Sequence, residues 1–100
     1  MAVLIWTSMA LDLLDEIADY IAQDSPDNAV RVVHRVFAAA ERLREFPRSG
    51  RVVPEAERED VREIIVGNYR VVYRLIEDRA EVLIVQHGAR LLDTDQLEGK

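Results

Sequence analysis

The sequence predicts an α+β fold, a β-α-α-β-β-β chain whose antiparallel sheet carries a helical hairpin on one face. Three observations lead there. From Val61 to Leu92 apolar and polar residues alternate with period two, rich in Val, Ile and Tyr, and the alternation breaks only at Gly67-Asn68 and near Asp78-Arg79. That is the signature of three consecutive antiparallel strands. Ahead of it, two segments carry apolar residues at helical spacing, and ahead of those Ala2 to Trp6 is short, aliphatic and β-prone.

The meander also fixes a register. Gly67-Asn68 reads as a two-residue hairpin turn, which sets the pairing of the strands it joins. Counting outward, Val66 opposes Tyr69, Ile65 opposes Arg70, Glu63 opposes Val72 and Val61 opposes Arg74. A second turn centred on Asp78-Arg79 would set Ile76 against Glu81, Arg74 against Leu83, Val72 against Val85 and Arg70 against His87. Two faces follow. One, with Ile64, Val66, Tyr69, Val71, Tyr73, Leu75, Val82 and Ile84, reads as the core face, edged by Arg62 and Gln86. The other sets Glu63, Arg70, Arg74, Glu81 and His87 among Ile65, Val72, Leu83 and Val85. So many aliphatics beside two arginines and a histidine suit neither water nor a private core. A partner surface or a site is the expectation.

Taken in order, Ala2–Trp6 is expected to pair with an edge of the sheet. Thr7 or Ser8 caps a first helix, in which Ala10, Leu14, Ile17, Ala18 and Ile21 form the apolar stripe and Asp12, Asp15, Glu16 and Asp19 an acidic exposed side. Ser25-Pro26 restarts a helix, serine as cap and proline at the first position. Ala29, Val33, Val36, Phe37, Ala40 and Leu43 carry its apolar face until Pro47 stops it. Arg31, Arg35 and Arg42 share one side and are expected to face the acids of the first helix in surface ion pairs. Arg48 to Asp60 reads as a long loop, and about 92–100 as a polar tail, frayed or ordered by a partner.

Composition sets the outer limits. One hundred residues make a single domain over 1–100, with room for one modest core. There is no cysteine, so disulfides and thiolate metal sites are excluded. No apolar run approaches the roughly 20 residues of a membrane helix, and no signal peptide is read. The net charge of −6 disfavours nonspecific attraction to nucleic acid. All bases but Lys100 are arginines, which leaves no lysine for chemistry inside the fold.

Arg70, Arg74 and His87 form the one constellation with chemical potential. Cleavage of RNA by its own 2′-hydroxyl needs a proton-transfer group and cations on the phosphate, and a histidine beside two arginines supplies both. The alternative pairs Arg70 and Arg74 diagonally with Glu63 and Glu81 and leaves His87 at a strand end. Tyr69 and Tyr73 belong to the core face, and His34 stands mid-helix among valines without a partner at metal-binding spacing. No metal or cofactor is expected. The isolated Gly50, Gly67, Gly88 and Gly99 form no phosphate loop.

The succession Trp6, Ala10, Leu14, Ile17, Tyr20-Ile21-Ala22, Ser25-Pro26, Ala29, Leu43, Pro47, Gly50-Arg51, Pro54-Glu55, Arg62-Glu63, Tyr69-Arg70, Tyr73-Arg74, Val85 and His87-Gly88-Ala89-Arg90 resembles the RelE/ParE superfamily of bacterial type II toxins. It covers nearly the whole chain, and the superfamily's fold is the one read above. The resemblance implies a small cytoplasmic toxin neutralised by a cognate antitoxin, with Ile65, Val72, Leu83 and Val85 as the antitoxin contact. ParE-like members poison DNA gyrase and are not nucleases; RelE-like members are mRNA interferases on the ribosome. Tyr20-Ile21-Ala22, Gly50-Arg51 and His87-Gly88-Ala89-Arg90 look closer to the ParE side, as does the missing lysine. For gyrase the resemblance points to His87, Arg90, Leu91 and Leu92 as the target contact. For an interferase it points to Arg70 and Arg74 as phosphate clamps, His87 as acid or base, and Arg51 or Arg62 as assistants. A third reading is a non-toxic module that only binds the antitoxin.

Overall fold

In the computed structural model, which describes residues 1–98, the element order is β1 (Val3–Trp6), α1 (Ser8–Ala22), α2 (Pro26–Glu41), β2 (Arg51–Val52), β3 (Val61–Val66), β4 (Tyr69–Ile76) and β5 (Arg79–His87). Short 3₁₀ turns follow α2 at Arg42–Arg44 and close the described chain at Thr94–Glu98. Gly99 and Lys100, the end of the expected tail, lie outside the described residues.

Both helix starts follow from their caps. Thr7 Oγ1 accepts the amide of Ala10 at 3.1 Å and donates to the carbonyl of Val82 at 2.8 Å, so one hydroxyl caps α1 and fastens it to β5. Ser25 Oγ accepts the amide of Asn28, with Pro26 at the first position of α2.

The five strands lie in the order β1-β5-β4-β3-β2. β1 pairs parallel with β5, so the expected antiparallel sheet has one parallel edge strand. β2 is a two-residue strand on β3, inside the segment expected to be a loop. The β3–β4 register is the expected one throughout, Val66 opposite Tyr69 and Val61 opposite Arg74. Gly67 at φ 60° supplies the conformation this turn requires.

The β4–β5 register differs from expectation in two ways. The turn is tighter, with Ile76 opposite Arg79 and Glu77 at φ 55°, which slides the partners without changing faces. Then the pairing shifts between Val72 and Tyr73: Tyr73 opposes Val82 but Val72 opposes Ile84, so Leu83 is an extra residue in β5. Because side chains alternate with period two, one extra residue reverses every face beyond it. Ile84 and Gln86 therefore join the face of Arg70, while Val85 and His87 join the face of Tyr69. The expectation that His87 shares a side with Arg70 and Arg74 is overturned by this bulge.

Both sheet faces are covered by the chain itself. Helices α1 and α2 close the first core, where Ala10, Leu14, Val36, Ala40 and Leu43 meet Val66, Val71, Tyr73, Val82 and Val85. On the far face Val61, Val72, Leu83 and Ile84 lie beneath Val53 and Ala56 of the 52–60 segment and Leu92 and Leu97 of the C-terminal segment. That answers why the far face is aliphatic: it is a second small core. The expectation of an open partner surface there is corrected, since Val72, Leu83 and Val85 are all buried, and within the described part of the tail Leu92 and Leu97 are packed rather than frayed.

Candidate functional site

At the centre of the far face stands a chain of alternating charges. Glu63, wholly buried on β3, accepts from Arg51 Nε of β2 through Oε2 and from Arg70 Nε of β4 at 2.6 Å through Oε1. Arg70 continues to Glu55, Nη1 to Oε2 at 2.8 Å and Nη2 to Oε1 at 2.9 Å, and Nη1 also donates to the carbonyl of Arg90 at 3.3 Å. Burial alone would make this costly, but every charged group finds an opposite one with hydrogen-bond geometry. The hydrogen bonds from Arg70 hold the Glu55 carboxyl down at about 2, and those from Glu55 and then Glu63 keep the guanidinium protonated. Glu55 Oε2 also accepts the amide of Leu92 at 3.3 Å, and Gln86 Nε2 donates to the carbonyl of Arg90 at 3.0 Å. The network thereby clips the C-terminal segment to the sheet.

The other two arginines of the interferase set are occupied differently. Arg62 spans the 48–60 segment, donating to the carbonyls of Arg48, Gly50 and Glu59. Arg74 Nε lies 3.7 Å from Asp60, whose carboxyl is pulled below its ordinary value chiefly by hydrogen bonds from Arg58. His87 stands across the sheet, its ring against Tyr69 with centroids 5.8 Å apart and its Nδ1 accepting the amide of Ala89. The structure thus brings Arg51 and Arg70 together around Glu63 and leaves His87 on the opposite face.

What the end of β5 does assemble is a projecting turn beside a cleft. Arg90 N donates to the carbonyl of His87 at 3.1 Å and Gly88 N to that of Asn68 at 2.8 Å, closing the chain tightly after the strand. His87, Arg90 and Leu91 are exposed, Leu91 at 84%, whereas Leu92 is turned into the second core. Alongside, the turn borders an open cleft of about 510 Å³ between α1 and the last residues of β5, walled by Leu13, Ile17 and Tyr20 on one side and Tyr69, Val85 and His87 on the other. Tyr20 is 74% exposed there. β1 pairs with β5 only as far as Val82, so this part of the β5 edge has no neighbouring strand. The cleft offers apolar walls with the Glu16 carboxylate, the His87 imidazole and the Arg90 guanidinium at its rim.

Of the four residues expected to contact the antitoxin, Ile65 alone presents its side chain, 57% exposed, in a shallow depression that Leu91 and Pro54 also line. Two participants were not singled out from the sequence. Glu55 was visible only as half of Pro54-Glu55. Tyr20 was visible only within Tyr20-Ile21-Ala22, which carried no sign of its exposure.

The family model for the ParE toxin of the type II toxin-antitoxin system parDE matches residues 4–92. The chain is 42% identical over 85 residues to the toxin candidate Y4kP of Sinorhizobium fredii, covering 83% of this chain and 84% of that one. It is 37% identical over 91 residues to Toxin RelE2 of Caulobacter vibrioides, covering 91% of this chain and 100% of that one. Among solved structures, the chromosomal ParDE system from P. aeruginosa superposes with a TM-score of 0.73 over 87% of this chain and 96% of the other; at 23% identity this likeness shows the fold alone.

Proposed function

The chain belongs to the ParE toxin family of type II toxin-antitoxin systems, and from that premise we propose that it arrests growth in the cytoplasm by poisoning DNA gyrase until a cognate antitoxin binds it. The observation that carries the gyrase reading over mRNA cleavage is the state of Arg70. A phosphate clamp needs free guanidinium donors facing its substrate. The donors of Arg70 are committed to Glu63, Glu55 and the Arg90 carbonyl, and the histidine that would move the proton lies through the sheet. Breaking that network to admit phosphate would strand Glu63 in a buried site without its partner.

The target contact in this reading is the turn after β5, with His87, Arg90 and Leu91 presented and Leu92 as the buried peg that fixes their position. The antitoxin covers Ile65 and Leu91, so that neutralisation and target access compete for the same leucine. An interferase reading keeps one point of support, the name of the RelE2 relative.

The test is expression without antitoxin of the wild type, His87→Ala and Arg90→Ala/Leu91→Ala. Growth arrest with filamentation, inhibition of supercoiling by purified gyrase, and relief by the double variant are expected. A prompt stop in protein synthesis that His87→Ala abolishes, with supercoiling untouched, would replace this reading by the interferase one.

A further inference from the structure

The charged chain on the far face is closed everywhere except at one end. Glu63 Oε1 accepts from Arg70 Nε and Oε2 from Arg51 Nε, both oxygens of Glu55 accept from Arg70, and Glu55 Oε2 also accepts the amide of Leu92. Each carboxylate oxygen of the pair is therefore engaged, and so is every nitrogen of the Arg70 guanidinium. Arg51 differs. Only its Nε is used, and its two terminal nitrogens make no hydrogen bond among the described residues. Its side chain is 65% exposed, while the Glu63 carboxylate that grips it is wholly buried.

The register places this guanidinium. Arg51 opposes Glu63 across β2 and β3, and Ile65, two residues further along β3, lies on the same face, diagonal to Arg51 and opposite Arg70. Arg51, Pro54, Ile65 and Leu91 accordingly line one open depression of about 450 Å³, together with Arg70 and Glu55. β2 pairs with β3 only at Arg62 and Glu63, so it ends before it reaches Ile65.

We propose that Arg51 anchors a carboxylate of the antitoxin, carried on a segment whose neighbouring aliphatic side chain covers Ile65 and Leu91. This rests on the antitoxin covering those two residues and adds the chemistry of the segment that does so. A guanidinium with both terminal nitrogens available presents a planar pair of donors, which matches a carboxylate through two parallel hydrogen bonds. Glu63 holds the stem in place beforehand, so binding orders little that is not already ordered. A phosphate backbone is the poorer match. Arg51 and Arg70 are balanced by Glu63 and Glu55, the chain carries a net charge of −6, and the rim is apolar. An acid beside a Leu, Ile or Val is the complement of a guanidinium beside Ile65 and Leu91. An antitoxin with an amide or a lysine at that place leaves Arg51 unmatched or repelled, so Arg51 also selects among antitoxins.

Isothermal titration of the purified chain with its cognate antitoxin tests this, with circular dichroism confirming that each variant folds. Arg51→Gln is expected to weaken binding about tenfold to a hundredfold, and Arg51→Lys to restore little of it, since an ammonium has no fork. A distorted site would weaken every form of the antitoxin alike, so the deciding measurement is a double-mutant cycle. Each Asp and Glu of the antitoxin is replaced in turn by Asn or Gln and titrated against the wild type and Arg51→Gln. One of these acids is expected to lose about tenfold or more against the wild type and almost nothing against Arg51→Gln. If no acid couples to Arg51 while Ile65→Ser still weakens binding about tenfold, the antitoxin covers the depression without a carboxylate anchor and the proposal is overturned. If no acid couples and Ile65→Ser leaves binding unchanged, the antitoxin lies elsewhere, and the reading on which the proposal rests falls with it.

Discussion

Arg70 and Glu55 meet through two parallel hydrogen bonds, 2.8 and 2.9 Å long, and the same Glu55 carboxylate accepts the amide of Leu92. One ion pair thus joins β4, the segment between β2 and β3, and the C-terminal segment that roofs the second core. It is the point at which the far face is held closed.

Acid sensitivity follows from this pair. The Glu55 carboxyl is held at about 2 in the folded protein against 4.5 in the unfolded chain, chiefly by its hydrogen bonds with Arg70. A depressed carboxylate contributes stability that is complete above the unfolded value and is lost as pH falls toward the folded one, because the unfolded chain takes up the proton first. Asp60, lowered by Arg58, acts in the same direction. Stability measured by urea midpoints is expected to drop steadily from pH 4.5 toward pH 2. Glu55→Gln is expected to cost about 2 kcal/mol at neutral pH and to flatten that slope. An unchanged slope would mean that the pair contributes nothing to linkage.

The phenol of Tyr73 makes a second joint. Its hydroxyl donates to the carbonyl of Pro47 at 2.7 Å and accepts the amide of Gly50 at 3.0 Å, across a buried contact between β4 and the chain entering β2. Tyr73→Phe leaves both groups without a partner and is expected to cost about 1–3 kcal/mol, with faster amide exchange over 47–51. Gly50→Ala is expected to be worse. A Cβ there would stand 2.6 Å from the carbonyl oxygen of Glu63 and 2.7 Å from Tyr73 Oη. The first of these is backbone inside a paired strand and cannot withdraw, so the variant is expected to unfold or to lose β2, which thermal melting would reveal.

How far the sequence carries can be judged strand by strand. Gly67-Asn68 announced a turn whose geometry admits one register, and every β3–β4 pair read from it is present. Leu83 announced nothing, because in the unbroken apolar run Val82-Leu83-Ile84-Val85 no polar residue marks which side chain is the extra one. The mixed face was legible as anomalous, but its cover was not: Val53, Ala56, Leu92 and Leu97 are scattered through segments with no periodicity of their own. The arginines of the candidate site were visible as residue types. The pairing of Arg70 with Glu63 across the β3–β4 hairpin was among the readings and is present, whereas its pairing with Glu55 joins residues 15 apart in the chain that no local pattern encodes.

The last prediction separates the two adjacent leucines after β5. Leu92 is 7% exposed and packs with Leu97, itself 2% exposed, against Leu83 and Ile84, whereas Leu91 is 84% exposed. Leu97→Ala or Leu92→Ala removes buried methyl groups from a small cluster and is expected to cost about 2–4 kcal/mol in chemical denaturation. Leu91→Ala removes only exposed surface and is expected to change stability by less than about 0.5 kcal/mol. If the turn after β5 is the target contact, that same substitution together with Arg90→Ala should abolish most growth arrest at unchanged cellular abundance. The pattern to look for is stability lost without specificity at residue 92 and activity lost without stability at residue 91. Equal loss of activity in both, tracking only the amount of folded protein, would place the target contact elsewhere on the surface.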